Sequence, residues 1–138
     1  MQNLSYLIIK ASRHLKNKLD KALMEFDITA AQFSVIIQIH SSGSPITAAE
    51  IAQRLGSDRP TISGIINRLE KKGIVFKVTN PKDKRSSYLE IYKDYDNLVD
   101  KMKIISDQLT IDIFSIYSNE EAEKLTEMIC KLNEGTEE

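Results

Sequence analysis

Residues 47 to 91 constrain the fold more than any other part of the chain. They read TAAEIAQRLGSDRPTISGIINRLEKKGIVFKVTNPKDKRSSYLEI. Ile62, Ile65, Ile66 and Leu69 recur at i, i+3, i+4 and i+7, which is one face of an amphipathic helix. Glycines bound that helix on both sides. Gly56 stops a short preceding helix that turns Ile51, Ala52 and Leu55 inward, and Gly73 follows Lys71 and Lys72, whose charge suits a helix C-terminus. Ser57 is the expected cap of the second helix. Pro60 is tolerated in its first turn, where backbone N–H groups have no intrahelical partner. Val75 to Thr79 and Ser87 to Ile91 then predict two strands around the turn Asn80-Pro81-Lys82-Asp83-Lys84-Arg85. Two helices across a tight turn, followed by a basic hairpin, are the parts of a winged helix-turn-helix.

The flanking sequence is helical. Leu4, Ile8, Ala11, Leu15, Leu19, Ala22 and Phe26 predict a first helix over about residues 4 to 26. Thr29 and Gln32 form a capping box for a helix carrying Phe33, Ile36, Ile37 and His40, which ends in Ser41-Ser42-Gly43-Ser44-Pro45. Thr47 and Glu50 make a second box. A long helix follows over about residues 93 to 116, with Leu98, Met102, Ile105, Leu109, Ile113 and Ile116 along one stripe. Ser118 and Glu121 open a last helix carrying Ala122, Leu125, Ile129 and Leu132, with residues 133 to 138 expected to fray. The fold class is therefore mainly α with a small β-hairpin wing (α+β).

At 138 residues the chain fits one domain and buries a core without staples. A hydrophobic content of 41% with 28% charged residues is that of a globular protein. No apolar run reaches membrane-spanning length, and the N-terminus has no basic region followed by a clean apolar stretch. The single Cys130 excludes an internal disulfide and fits a reducing cytoplasm. The net charge of −1 conceals an asymmetry. Residues 50 to 90 hold nine Lys/Arg against five Asp/Glu, whereas residues 94 to 138 hold four Lys against twelve Asp/Glu. Phosphate attraction is set by the local basic segment, so the acidic end should face away from nucleic acid.

With the isoleucine stripe buried, Arg59, Thr61, Ser63, Gly64, Asn67 and Arg68 fall on or near the outer side of the second helix. Arg68 is suited to guanine and Asn67 to adenine. Thr61 and Ser63 suit phosphates or base edges, and Gly64 permits close backbone approach. At the hairpin tip, Lys82, Lys84 and Arg85 reach the phosphate backbone, an arginine fits a narrow minor groove, and Asp83 orients Arg85.

These segments resemble the multiple antibiotic resistance regulator (MarR) family. ITAAQFSVI, ITAAEIAQRLGSDRPTISGIINRLEKKGIV, NPKDKRSSYLEI and SNEEAEKLTEMICKL carry the resemblance over roughly residues 4 to 132. It implies one MarR-type domain over residues 1–138: a winged helix-turn-helix lobe over 29–92, with 1–28 and 93–138 forming a helical dimerisation region. It also implies a homodimeric transcriptional regulator, acting as a repressor on pseudo-palindromic double-stranded DNA. In that setting residues 59 to 68 read the major groove and Arg85 probes the minor groove. A small aromatic or phenolic effector is implied as well, with His14, Phe33 and Ile37 as pocket candidates. Two places depart from the family pattern. Gly64 stands where members often carry a basic residue, and Ile91-Tyr92-Lys93-Asp94-Tyr95 stands where they show Leu-Thr-x-x-Gly, so the long helix is expected to start differently.

Other chemistry has little support. Cys130, beside Ile129, reads as a packing cysteine, His40 as a core histidine and His14 as part of a solvated or interface face. No spacing of His and Cys suggests a metal, no nucleophile elbow or phosphate loop suggests an enzyme, and no cofactor is expected. The apolar stripes of the outer helices exceed what one winged lobe needs, which favours a homodimer over a monomeric bundle. A winged-helix protein-interaction module that does not read DNA is the alternative, supported by Gly64 and the modest local charge.

Overall fold

The two glycines that bound the central helix both adopt left-handed backbone, Gly56 at φ 62° and Gly73 at φ 72°. A residue with a Cβ is strained there, which is why both helices end where they do. A computed structural model describes residues 3–136. In it, helix α3 spans Ala48–Leu55 and α4 spans Arg59–Lys71. Ile62, Ile66 and Leu69 of α4 are buried and Ile65 half-buried, so the predicted stripe is the core-facing side.

Before them come α1 (Leu4–Ala22), a 3-10 turn (Met24–Phe26) and α2 (Ala30–His40). The first helix stops short of Phe26. Leu23 and Ile28 both enter the core, and the chain turns between them through Asp27, a left-handed residue at φ 55°. Two side chains secure this junction. The Asp20 carboxylate accepts the Ala30 N–H at 2.6 Å. From the end of α4, the Lys72 ammonium donates to the Asp27 carbonyl, lies 3.4 Å from its carboxylate, and reaches Gln32 Oε1 at 3.5 Å. Both halves of the Thr29–Gln32 capping box are present. At Thr47 only half forms: its hydroxyl oxygen accepts the Glu50 N–H, and the Glu50 carboxylate bonds that hydroxyl instead of the Thr47 backbone.

The backbone of Thr47 is occupied elsewhere. Ile46–Thr47 form a short strand, β1, that pairs antiparallel with β3 (Ser87–Ile91), which in turn pairs with β2 (Val75–Thr79). The predicted hairpin is thus a three-stranded sheet in the order β1-β3-β2. A two-residue strand has too little alternation to be seen in sequence. Register places Ile46 opposite Leu89, both buried, so β1 fastens the start of α3 to the sheet.

A second 3-10 turn (Lys93–Tyr95) precedes α5 (Asp96–Phe114), and α6 spans Asn119–Thr136. The long helix begins at Asp96, behind that turn, three residues later than the expected start at about residue 93. Its buried residues are Val99 and Met102; Val99 lies off the predicted stripe, and Ile116 at its far end is 79% exposed. The Ser118–Glu121 box forms with bonds of 3.0 and 3.1 Å. The last helix continues through Asn133 to Thr136 instead of fraying there; the final two residues of the expected tail lie outside the described ones.

One compact unit ends at Ile105 and a second begins at Ser106. The first holds a single core that joins Leu23, Phe33, Ile36, Ile51, Ile66 and Leu69 with Leu89 of the sheet and Met102 of α5. Its outer helix α1 buries no residue, and Leu4, Tyr6, Leu7 and Ile9 are all more than 40% exposed. Within the second unit, Met128, Ile129 and Leu132 of α6 are likewise exposed. Covering a large apolar side chain contributes about 1.5–3 kcal/mol, so both faces carry unused hydrophobic free energy. No helix among the described residues is long and apolar enough to cross a membrane.

Candidate nucleic-acid interface

The cap of α4 is Asp58, not Ser57. Its Oδ1 accepts the Thr61 N–H at 2.7 Å and its Oδ2 accepts the Thr61 hydroxyl at 2.9 Å. Serine and aspartate cap about equally well, so propensity alone gives no ground for preferring Ser57 to the residue after it. The Thr61 N–H, and after it the Thr61 hydroxyl, hold the Asp58 carboxyl below the usual carboxylate range. Pro60 occupies the first turn as expected.

At about 100° per residue, the side of α4 opposite its buried stripe is centred on Pro60, Gly64, Asn67 and Lys71. Arg59 and Ser63 flank this ridge on one side, Thr61 and Arg68 on the other. All eight are exposed. Among the described residues, the side chains of Arg59, Ser63, Asn67 and Arg68 make no hydrogen bond or ion pair, so their polar groups are free for a ligand. A Cβ on Gly64 would meet nothing within 4 Å, and its φ is not positive. The fold therefore does not require glycine there, although glycine in a helix interior costs about 0.5–1 kcal/mol relative to alanine.

The wing tip is shaped by Asn80, which is 7% exposed. Its Oδ1 accepts the Lys82 N–H at 2.9 Å, its Nδ2 donates to Ser86 Oγ at 3.0 Å, and its carbonyl accepts the Asp83 N–H at 3.3 Å. Asp83 Oδ1 then accepts the Arg85 N–H at 3.0 Å and the Arg85 Nε–H at 3.4 Å. The Arg85 side chain is 93% exposed, so this ion pair orients the guanidinium without tethering it strongly. Lys82 and Lys84 are exposed on the same loop.

Helix and wing meet at a cleft of about 200 Å³, lined by Arg59, Ser63 and Asn67 of α4, Arg85 and Ser86 of the wing, and Lys77 of β2. Lys77 also pairs with Glu70 at 3.3 Å. Thr61 and Arg68 lie off this cleft on the far flank of the helix, and Lys82 and Lys84 lie beyond it at the tip. The cleft is basic, apart from that pair, and open to solvent. Its curvature and donors suit a polyanion that touches helix and wing together.

The structure adds Asp58, Pro60, Lys71, Lys77 and Asn80 to the residues of interest. Pro60 and Lys71 follow from the angular arithmetic alone. Asn80 had a local signal, since Asn before Pro initiates turns by accepting a backbone N–H two residues on. Lys77 needed the tertiary fold. The remaining sequence candidates are scattered. Phe33 is a core residue, Ile37 is half-buried beside it on α2, and His14 is exposed on α1. Cys130 is exposed on α6, contrary to the expected packing role, because α6 buries none of its residues. His40 is at the rim of the core, its side chain 24% exposed and its Nε2 3.9 Å from Asp100. Among the described residues no group of His, Cys, Asp and Glu is placed to hold a metal ion.

Residues 26–86 match the model of the MarR family. The chain is similar to S. aureus MepR in a crystal structure of a MepR–DNA complex, with 26% identity, a TM-score of 0.87, and coverage of 98% of this chain and 99% of that one. It is similar to wild-type E. coli MarR in its apo form, with 26% identity, a TM-score of 0.76, and coverage of 96% and 97%. CouR from Rhodococcus jostii, solved with p-coumaroyl-CoA bound, shares the fold at 16% identity, with a TM-score of 0.82 and coverage of 95% and 91%.

Proposed function

We infer that this chain, a MarR-family protein through its residues 26–86, is a DNA-binding transcriptional regulator that represses by occupying a pseudo-palindromic duplex as a homodimer. The observation that carries this reading is the basic cleft where Arg59, Ser63 and Asn67 of α4 face Arg85 of the wing. The recognition helix enters the major groove with its free side chains toward base edges, and the wing follows the backbone into the adjacent minor groove. The solved complex of MepR, similar over nearly the whole chain, supports the same use of the fold.

In this reading, residues 29–92 are the reading lobe and residues 1–28 and 93–138 the dimerisation region. The exposed apolar faces of α1 and of α6 are the surfaces a second copy covers. Two-fold symmetry then sets the two recognition helices about 34–36 Å apart, one turn of duplex. A small aromatic or phenolic effector releases the DNA by preferring a different spacing of the lobes. His14, Phe33 and Ile37 are candidate residues on its path. The protein works in the cytoplasm and performs no catalysis in this role.

Fluorescence anisotropy with duplexes from the region upstream of its own gene tests this. The expected result is binding by a dimer, with an affinity that falls steeply as salt rises. Absence of salt-sensitive binding to both that DNA and random duplex at low salt favours the protein-interaction module instead.

A further inference from the structure

The Asp58–Thr61 pair has a chemical consequence beyond capping. An ionised carboxylate only accepts hydrogen bonds, so at 2.9 Å from Asp58 Oδ2 the Thr61 hydroxyl must be the donor. Its one hydrogen is committed to Asp58. The other carboxylate oxygen takes the Thr61 backbone N–H at 2.7 Å, so the same residue engages both oxygens and fixes the side chain from two directions. Thr61 is exposed, and what its hydroxyl turns outward is lone pairs alone. Its neighbours differ. Arg59 and Arg68 only donate, Ser63 has a free hydroxyl that rotates to suit, and Asn67 offers both a donor and an acceptor.

We propose that Asp58 sets the hydrogen-bonding polarity of Thr61, so that Thr61 reads a base carrying an exocyclic amino group in the major groove, adenine N6 or cytosine N4. This rests on the DNA-binding reading above and deepens it. A hydroxyl whose hydrogen is committed has nothing to give a phosphate oxygen, guanine O6 or N7, or thymine O4. Thr61 is thereby removed from the phosphate contacts that its residue type alone allows. The Asp58 charge acts in the same direction: it occupies the helix N-terminus that otherwise attracts a phosphate and repels the backbone there. Asp58 is a positioning residue, and Thr61 the one that touches the base.

Selection of bound duplexes from a random pool, using the full chain and its variants, tests the proposal. Asp58→Asn keeps the cap, because Asn and Asp cap equally and Oδ1 still takes the Thr61 N–H. Its Nδ2 donates where Oδ2 accepted, so the Thr61 hydroxyl accepts from it and turns its hydrogen outward. The wild type should enrich adenine or cytosine at one position of each half-site, and D58N should move that position, and no other, toward guanine or thymine by roughly tenfold. Which amino base the wild type enriches distinguishes adenine N6 from cytosine N4. Thr61→Val should lose the amino-base preference there, and Thr61→Ser, which keeps the committed hydroxyl, should retain the wild-type motif. Thermal melting of each variant confirms folding; should D58N fail to fold, the contrast between T61V and T61S decides. If D58N enriches the wild-type motif unchanged, or T61V keeps the preference, the proposal is overturned alone. If the wild type enriches no sequence, the DNA-binding reading falls and takes the proposal with it.

Discussion

Helix α4 and the wing tip are both basic and meet at one cleft through Arg59 and Arg85, yet they are held in place differently. Helix α4 is fastened by Ile62, Ile66 and Leu69, each at most 2% exposed, so its outer side chains inherit the rigidity of the core. The tip is fastened by hydrogen bonds of Asn80 and Asp83 to groups within six residues in sequence. Discrimination between bases needs donors placed to within a fraction of an ångström, so in the proposed role the helix is the support suited to base readout. Attraction to phosphate needs charge near the backbone, which a locally tied loop supplies. In that proposed role, similar charge on two kinds of support would serve two purposes.

The contrast breaks most readily at its foundation. Leu69→Ala, at a fully buried site, should destabilise the protein by about 2–5 kcal/mol in urea titrations, whereas Lys84→Ala at the tip should leave the unfolding midpoint nearly unchanged. Binding sharpens it next. Arg68→Ala should cost on the order of 1–3 kcal/mol on the preferred duplex and relax selectivity at one position. Arg85→Ala should instead weaken all duplexes alike and lower the salt slope by roughly one per protomer, read from anisotropy at several ionic strengths. Asn80→Ala strands the Lys82 N–H, leaves Ser86 Oγ with the Asp83 carbonyl alone and should cost about 1 kcal/mol of stability, with a loss of affinity that mimics Arg85→Ala.

Gly64 gives an effect of opposite sign. Since a Cβ there meets open space, Gly64→Ala should stabilise the folded chain by about 0.5–1 kcal/mol in melting experiments. If the helix backbone approaches the groove at Gly64, the same variant should bind DNA more weakly despite being more stable. The smallest effect is on acid response. The folded-state Asp58 carboxyl is depressed, so its contribution is complete above the unfolded value of about 3.9 and is lost as pH falls through the folded one. Comparing melting temperatures of the wild type and Asp58→Asn through this acid range should show a shallower decline for the variant.

Much of this was legible in the sequence, for reasons tied to particular residues. The stripe of α4 and the glycines at 56 and 73 determine where the helices lie and stop, and alternation located β2 and β3 residue for residue. What escaped was set by tertiary contact. Strand β1 exists because β3 offers it an edge, and Lys77 reaches the cleft only once the sheet is in place. Leu23 ends α1 early because the core claims it. The Cys130 expectation missed because a helical apolar stripe in sequence does not say whether its own chain or another one covers it.

Lys72 couples regions that the sequence separates widely. It caps the end of α4 while its ammonium grips the carbonyl of Asp27 and reaches Gln32, at the bend between α1 and α2. Separating the two takes the ammonium from the Asp27 carbonyl and leaves Gln32 Oε1 with the Thr29 N–H alone, so the bend and the helix end are favoured to travel as one piece. A pivot of the outer helix is thereby favoured to tilt the exposed face of α4 with it, Lys72 adding a polar tie beside the shared core, and Lys72→Met should loosen that coupling.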